Sequence, residues 1–240
     1  MILHHLKIAF RNLRKYMTQN IISIIGLAVG FACFSFSALW IRYEMSYDNF
    51  HPKADRIYRV QMARLKWDTF GANASDITNP PFPIAEWLKS NFPEIEEAGR
   101  IRLIENNNYS LLEVDPSFFT IFDMEMPEIF FIAGNTERPA IMMNDLKETI
   151  ASVKEKLNRD VRMTVPRWPS NTNIPFDFIT PITQSNMGMN MKAWRSVLFS
   201  TTYHTYMLIK DGVNVQALNE KLDKVVLPEA DKPYRLLLHR

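Results

Sequence analysis

The stretch Ile21–Ile41, IISIIGLAVGFACFSFSALWI, holds no charged side chain over 21 residues. An α-helix of that length rises about 30 Å, which matches the hydrocarbon core of a bilayer. Tyr16 precedes the stretch, and Trp40 and Tyr43 lie at its other end, where aromatic residues favour the membrane interfaces. The sequence therefore predicts a transmembrane helix with a short stalk over residues 20–47.

The charges on the two sides of this span differ. Glu44 and Asp48 follow it, whereas no acidic residue precedes it, and the basic residues before it are Lys7, Arg11, Arg14 and Lys15. Because positive charge is retained in the cytoplasm, we expect the N-terminus inside a bacterial inner membrane and the bulk of the chain in the periplasm. Apolar residues recur every three or four positions among these charges, which predicts an amphipathic helix on the inner bilayer surface over residues 1–19.

Two features of the span have alternative interpretations. Gly26 and Gly30 form a GxxxG pattern, which predicts close packing against another membrane helix, although glycines are also common in membrane helices without a partner. Ser35-Phe36-Ser37 resembles a signal-peptide cleavage site, but the apolar run is longer than the core of a signal peptide and begins twenty residues into the chain. A retained anchor is therefore favoured.

The part after the span contains two β-α-β runs that are separated in sequence. The first comprises a strand at Arg56–Lys66, a helix from Pro81 to before Pro93 and a strand around Arg100–Leu103; the second comprises a strand at Tyr206–Lys210, a helix after Asn214 and a strand at Tyr234–Leu238. Two such runs form the split βαβ, ferredoxin-like pattern. The sequence thus predicts an α+β fold, with one lobe assembled from residues 48–106 and 200–240.

Residues 107–199 separate the two halves of this pattern and are predicted to form an inserted mixed α/β lobe. Apolar spacing predicts a short helix at Pro116–Phe122 and a longer one at Leu146–Leu157, whereas the composition of Pro166–Ser196 predicts loops with short strands.

The sequence lacks the common motifs for catalysis and cofactor binding. The chain lacks the GxxxxGK[ST] phosphate loop and the GxSxG elbow, and its one cysteine, Cys33, lies inside the span. Four of the 28 basic residues precede the span, so the remainder, with 26 acidic residues, carries a net charge of −2 and offers no general surface for nucleic acid. We predict a protein that is not an enzyme, with no cofactor, no metal and no nucleic-acid partner.

Met187, Met189 and Met191 alternate along a loop-rich stretch. Three thioethers at this spacing could hold a Cu(I) ion, or they could form an adaptable apolar surface that contacts a hydrophobic partner. An ordinary loop in a chain with 13 methionines is the simplest interpretation.

Several stretches resemble one family. Leu6–Arg14 ahead of a glycine-containing span is similar to the start of ABC-transporter permeases of the MacB/FtsX type, and Tyr47–Val60 is similar to the segment after the first span in Bacteroidetes members. The residues that carry this second motif are Tyr47, Asp48, Phe50, His51, Asp55, Arg56 and Tyr58. Further similar stretches are Asp115–Phe122, Asn173–Ile179 and Tyr206–Gly212.

This resemblance implies a fold and a function. The fold would be a periplasmic core domain with a porter-like lobe and an inserted lobe. The function would be that of a permease subunit that couples ATP hydrolysis by a separate cytoplasmic ATPase to movement of its periplasmic domain, in export of antimicrobial peptides, drugs or lipoproteins or in mechanotransmission. The implied partners are that ATPase, a second permease copy in a homodimer, the lipid bilayer and a periplasmic adaptor. No catalytic residue is carried over from the family.

The chain departs from the family pattern in two respects. In residues 127–165 the family has a strand, a helix ending in glycine and a second strand, whereas here Asn158-Arg159-Asp160 replaces the glycine turn. Family permeases have at least four spans and this chain has one, so we expect a fragment or a truncated gene product. The alternative is a single-pass, membrane-anchored periplasmic binding or sensor module.

Overall fold

The structure is a computed structural model of the 240-residue chain. It describes residues 5, 8, 11, 14–68, 71–106, 108–127, 130–131, 139–146, 153, 155, 158–182, 202–225 and 234–239. The chain divides into two compact units, residues 1–47 and residues 48–240.

The first unit contains one long helix, α1 (Met17–Glu44), which is the candidate membrane span among the described residues by its length and composition. None of its residues is buried within the structure, and nothing lies within 4 Å of a Cβ added at Gly26 or Gly30. The helix ends at Glu44, one turn past Trp40, and turns follow to Phe50. The predicted amphipathic helix over residues 1–19 lies mostly outside the described residues.

The second unit contains nine described strands and three described helices. The strands are β1 (Ile57–Asp68), β2 (Gly71–Thr78), β3 (Ile95–Asn106), β4 (Tyr109–Val114), β5 (Pro139–Met143), β6 (Asp160–Val165), β7 (Phe178–Pro181), β8 (His204–Ile209) and β9 (Tyr234–His239). The helices are α2 (Ile84–Asn91), α3 (Ser117–Ile121) and α4 (Val215–Asp223). The mixed content confirms the prediction of an α+β fold.

The strands form one sheet in the order β2-β1-β8-β3-β4-β7-β5-β6, and β9 also pairs with β1. Strand β8 lies between β1 and β3 and is antiparallel to both. The two units β1-α2-β3 and β8-α4-β9 are thus interleaved in the sheet, with their strands in the order β9-β1-β8-β3. This is the strand order of a split βαβ pattern.

Strands from residues 107–199 continue this same sheet beyond β3. Strand β4 joins β3 antiparallel and β7 joins β4 in parallel. Strand β5 then joins β7, and β6 lies parallel to β5 at the end of the order. Residues 48–240 are accordingly one compact unit, and their division into two lobes stays a prediction.

Apolar side chains are buried on both faces of the sheet. Helices α2 and α4 cover one face, where the buried residues include Val60, Met62, Ile84, Leu88, Met207, Leu218 and Leu222. The other face buries Ile101, Leu112, Val114, Phe118, Phe122, Ile141, Phe176, Ile179 and Leu208. Each fully buried side chain of this size contributes about 1.5–3 kcal/mol before the entropy of ordering is deducted.

One glycine of β3 allows a helix and a turn to approach the strand closely. A Cβ added at Gly99 would lie 2.7 Å from Asp115 Oδ1 and 2.8 Å from Ser117 Cβ. The next residue, Arg100, donates from its backbone N to Asp115 Oδ2 at 2.8 Å and from Nε to the same atom at 3.0 Å. Gly99 therefore allows the start of α3 to dock on the sheet.

The segment that departs from the family pattern still forms a strand pair. Asn158 adopts a left-handed conformation with φ of 50°, which is the backbone role that glycine commonly fills. Strand β6 begins two residues later and pairs in parallel with β5. The predicted helix Leu146–Leu157 lies largely outside the described residues, which include helical positions 153 and 155.

Candidate functional site: the junction segment

The junction segment, Asp48–Arg56, begins the second unit and contains most of the sequence motif that follows the span. It consists of turns without helix or strand. Turns of this kind are held in place by contacts with other segments rather than by their own hydrogen-bond ladder. The contacts of the junction segment therefore determine how firmly it is attached to the unit.

The first contact joins Asp48 to a loop more than 120 residues away. The backbone N of Asp48 donates to Asn171 O at 3.0 Å. Its carboxylate accepts from Thr172 Oγ1 at 2.5 Å, from Asn173 N at 3.2 Å and from Asn173 Nδ2 at 2.9 Å. Asp48 itself adopts φ of 55°, a conformation that aspartate and asparagine tolerate better than most residues. We refer to these four residues as the Asp48 network.

The second contact is an aromatic cluster around His51, whose side chain is 7% exposed. The His51 ring lies 4.1 Å from the Phe50 ring, 5.1 Å from the Phe122 ring and 4.5 Å from the Trp168 ring, between centroids. Its Nε2 is buried and makes no hydrogen bond with the described residues. The ring therefore acts as a packing element, and burial lowers the pKa of His51 against the opposing effect of Asp48.

Two basic side chains form the third set of contacts. Lys53 Nζ donates to Thr120 O at 2.9 Å and pairs with Asp123 Oδ1 at 3.1 Å. Arg56 Nη1 donates to Glu96 Oε2 at 2.9 Å and to Ile209 O at 3.2 Å. The junction segment is thus held by separate regions of the unit.

The structure does not bring every motif residue to these contacts. Asp55 is exposed. Tyr58 lies on β1 and packs on the core under α2 and α4. Tyr47 belongs to the first unit, where its ring lies 5.4 Å from that of Tyr43.

Other predicted site residues lie elsewhere. Gly26 and Gly30 lie on α1, and Met187, Met189 and Met191 fall outside the described residues. No group of three metal-ligating side chains occurs in the part of the chain that the structure describes.

Sequence patterns did not identify the partners of the junction segment. Trp168 and Asn171–Asn173 fall in a stretch predicted as loops with short strands, and Lys53 carried no assigned role. A contact between segments that lie more than 120 residues apart in the chain, such as that of Asp48, produces no periodic pattern in the sequence. The one available signal was the family-like stretch that begins at Asn173.

We expect acidification to destabilise the second unit through His204 between about pH 6.5 and pH 4. Burial, and then the neighbouring Arg59, lower the pKa of His204 to about 4. In this window the unfolded chain binds more protons than the folded chain. The free energy of unfolding therefore decreases as the pH is lowered. Denaturation of a chain beginning at Ser46 should therefore show that the stability advantage of wild type over His204→Gln shrinks from pH 7.5 to pH 4. A constant advantage would contradict this expectation.

The described residues combine one helix that is long and apolar enough to cross a membrane with a separate α+β unit. Residues 21–225 match the family model of the MacB-like periplasmic core domain, so the chain belongs to that family of ABC-permease domains. This confirms the resemblance drawn from the motif after the span.

Two solved structures are similar to this chain. A domain of a protein described as a permease from Porphyromonas gingivalis is 19% identical, with a TM-score of 0.53, over 79% of this chain and 91% of that one. The periplasmic region of MacB from Actinobacillus actinomycetemcomitans is 12% identical, with a TM-score of 0.37, over 75% of this chain and 87% of that one. No curated protein sequence matches the chain.

Proposed function

We propose that this chain is part of a permease subunit in an ABC-type export or mechanotransmission system, in which a separate cytoplasmic ATPase drives movement of the periplasmic domain. The observation that carries the proposal is the family match over residues 21–225, combined with the dense contacts of the junction segment. In this role the subunit transmits displacement and performs no chemistry of its own.

The first step of the argument concerns α1. The helix runs from Met17 to Glu44, and no glycine or proline occurs from Phe31 to Phe50. Bending a helix requires backbone hydrogen bonds to break, so an uninterrupted helix transmits axial displacement. The expected orientation, with the N-terminus in the cytoplasm and the bulk of the chain in the periplasm, gives that displacement a direction across the inner membrane.

The second step concerns where the displacement arrives. Within the two-lobe division that we propose, Asp48, His51 and Lys53 contact residues 120–123 and 168–173, which belong to the inserted lobe. Arg56 contacts Glu96, Ile209 and Asp211, which belong to the porter-like lobe. A segment held by both lobes loads both of them when it moves.

The remaining elements of the proposal concern partners. The open GxxxG surface of Gly26 and Gly30 supports packing against another membrane helix, either within the permease or in a homodimer. The bilayer surrounds α1, and a periplasmic adaptor is a further partner. Antimicrobial peptides, drugs and lipoproteins are the cargo classes that the family suggests.

A second candidate function is a single-pass periplasmic binding or sensor module. The observation that bears on it is the helix Met17–Glu44, which by its length and composition would suffice to anchor such a module. Such a module needs neither an ATPase nor force transmission through the junction segment.

Affinity purification from native membranes separates the two functions. We expect an ABC ATPase to co-purify with the protein that contains this chain and the sample to hydrolyse ATP. A sample from cells whose ATPase carries a substituted phosphate-loop lysine should contain the same subunits without that activity. A complete native protein that purifies with no ATPase would support the sensor module and overturn the permease.

A further inference from the structure

Three polar side chains converge beside the first and eighth strands, at a place that the proposed function does not use. Arg59 Nη2 lies 2.7 Å from His204 Nδ1 and 3.1 Å from Asn79 Oδ1. His204 Nδ1 lies 2.8 Å from the same Asn79 oxygen. Tyr206 is directly opposite Arg59 in the register of β1 and β8, so it shares this face of the sheet.

Arg59 makes no direct ion pair with a carboxylate among the described residues, and the Asp48 carboxylate acts on Tyr206, the residue opposite Arg59, only through space. Its hydrogen bonds go to an imidazole and an amide, and its Nε is buried without a hydrogen bond. Other arginines of the second unit contact carboxylates directly, namely Arg56, Arg100, Arg102, Arg162, Arg167 and Arg235. A guanidinium that is partly withdrawn from water is stabilised by an anionic partner, and no anion contacts Arg59 directly among the described residues.

The neighbouring groups suit an anion with oxygen atoms. The planar guanidinium presents several N–H donors in a fork that matches a carboxylate or a phosphate. The Asn79 Oδ1 atom lies within hydrogen-bond distance of both Arg59 Nη2 and His204 Nδ1 and so holds the two groups side by side. His204 is neutral next to Arg59, and a proton taken up with an anion would make it a further donor.

We propose that Arg59, His204 and Asn79 form a binding site for an oxyanion of the carboxylate or phosphate type. All three side chains are partly exposed, so a solute reaches them from solvent. Binding places a negative charge beside Arg59 and is accompanied by proton uptake at His204. The proposal is independent of the transport function, because none of these residues belongs to the junction segment.

The test uses the full chain in uncharged detergent micelles and follows His204 by NMR. Its pKa is measured in sodium chloride, sodium acetate and sodium phosphate at equal ionic strength. We expect acetate, phosphate or both to raise the pKa by at least one unit in a saturable manner, which corresponds to at least tenfold tighter anion binding to the protonated form. The comparison of the acetate and phosphate samples identifies which oxyanion the site prefers.

Variants show whether the effect belongs to this site. Arg59→Gln should abolish the anion-dependent rise, whereas Arg235→Gln, which removes an arginine paired with Asp223, should leave it unchanged. If Arg59→Gln does not fold, Arg59→Lys keeps the charge without the fork and should weaken binding at least threefold. A His204 pKa that is the same in all three salts up to 100 mM, or a rise that survives the loss of Arg59, would overturn the proposal.

Discussion

Inserting Gly-Gly-Gly-Gly after Met45 should reduce transport by the complete permease at least tenfold while ATP hydrolysis continues. The insertion lies after the last residue of α1, Glu44, and before Asp48, the first residue of the junction segment. Glycines adopt many backbone conformations, so a flexible stretch absorbs an axial displacement instead of transmitting it. The ratio of cargo exported to ATP hydrolysed, measured in the same vesicles, is the quantity that should fall.

The matched control is an insertion of equal length with high helix propensity, made of alanine and glutamate. Four helical residues add about 6 Å and rotate the following segment by about 40°, yet they keep the connection stiff. This variant should retain more coupling than the glycine variant, and both should bind the ATPase equally. If the glycine insertion exports cargo as well as the parent protein, α1 is only a tether and force is not transmitted through this connection.

The sequence predicted those parts of the fold whose signal is local. The absence of charge over residues 21–41 predicted α1, which ends at Glu44 within the region 20–47 that was assigned to the helix and its stalk. Periodic apolar spacing located β1, α2, β8 and α4. Helix α4 begins after Asn214 as predicted, and Asn214 caps it because its Oδ1 accepts from Ala217 N at 3.1 Å.

Parts of the fold without a local signal were missed or misjudged. Every residue of β7 is buried, so the strand lacks the alternation that identifies a half-buried strand. Asn158 was treated as a departure from the glycine turn, but a left-handed asparagine serves the same backbone role. The Asp48 network joins segments that are more than 120 residues apart, and no periodicity encodes such a contact.

The sequence predicted which residues belong to the candidate site but not what each of them contacts. Resemblance selected Asp48, His51 and Arg56, and the structure supplies the contacts that give each a physical role. The same motif includes Asp55, whose side chain is exposed. Asp48 and Asp55 therefore provide a pair of nearby carboxylates, of which one is expected to matter and the other is not.

Replacing Asp48 should weaken the junction segment in proportion to what each variant removes. Asp48→Gly keeps the left-handed backbone and loses the accepted hydrogen bonds, so we expect the free energy of unfolding of a chain beginning at Ser46 to fall by about 1–2 kcal/mol. Asp48→Ala also strains a backbone with φ of 55° and should cost about 2–3 kcal/mol. Asp48→Asn keeps the conformation and one acceptor oxygen but opposes an amide donor to the donors at Oδ2, so its loss of stability should not exceed that of the glycine variant.

The same series tests whether the Asp48 network transmits force or only stabilises the fold. In the complete permease, all three Asp48 variants should lower the ratio of cargo exported to ATP hydrolysed at a temperature where the domain remains folded, and Asp55→Ala should leave both ratio and stability unchanged. A role in stability alone predicts normal coupling whenever the protein is folded, because the remaining contacts of His51, Lys53 and Arg56 would suffice. Normal coupling in a folded Asp48→Ala permease would therefore remove the Asp48 network from the proposed route of force. Equal losses of coupling in Asp48→Gly and Asp48→Ala would instead assign the route to the side-chain hydrogen bonds rather than to backbone strain.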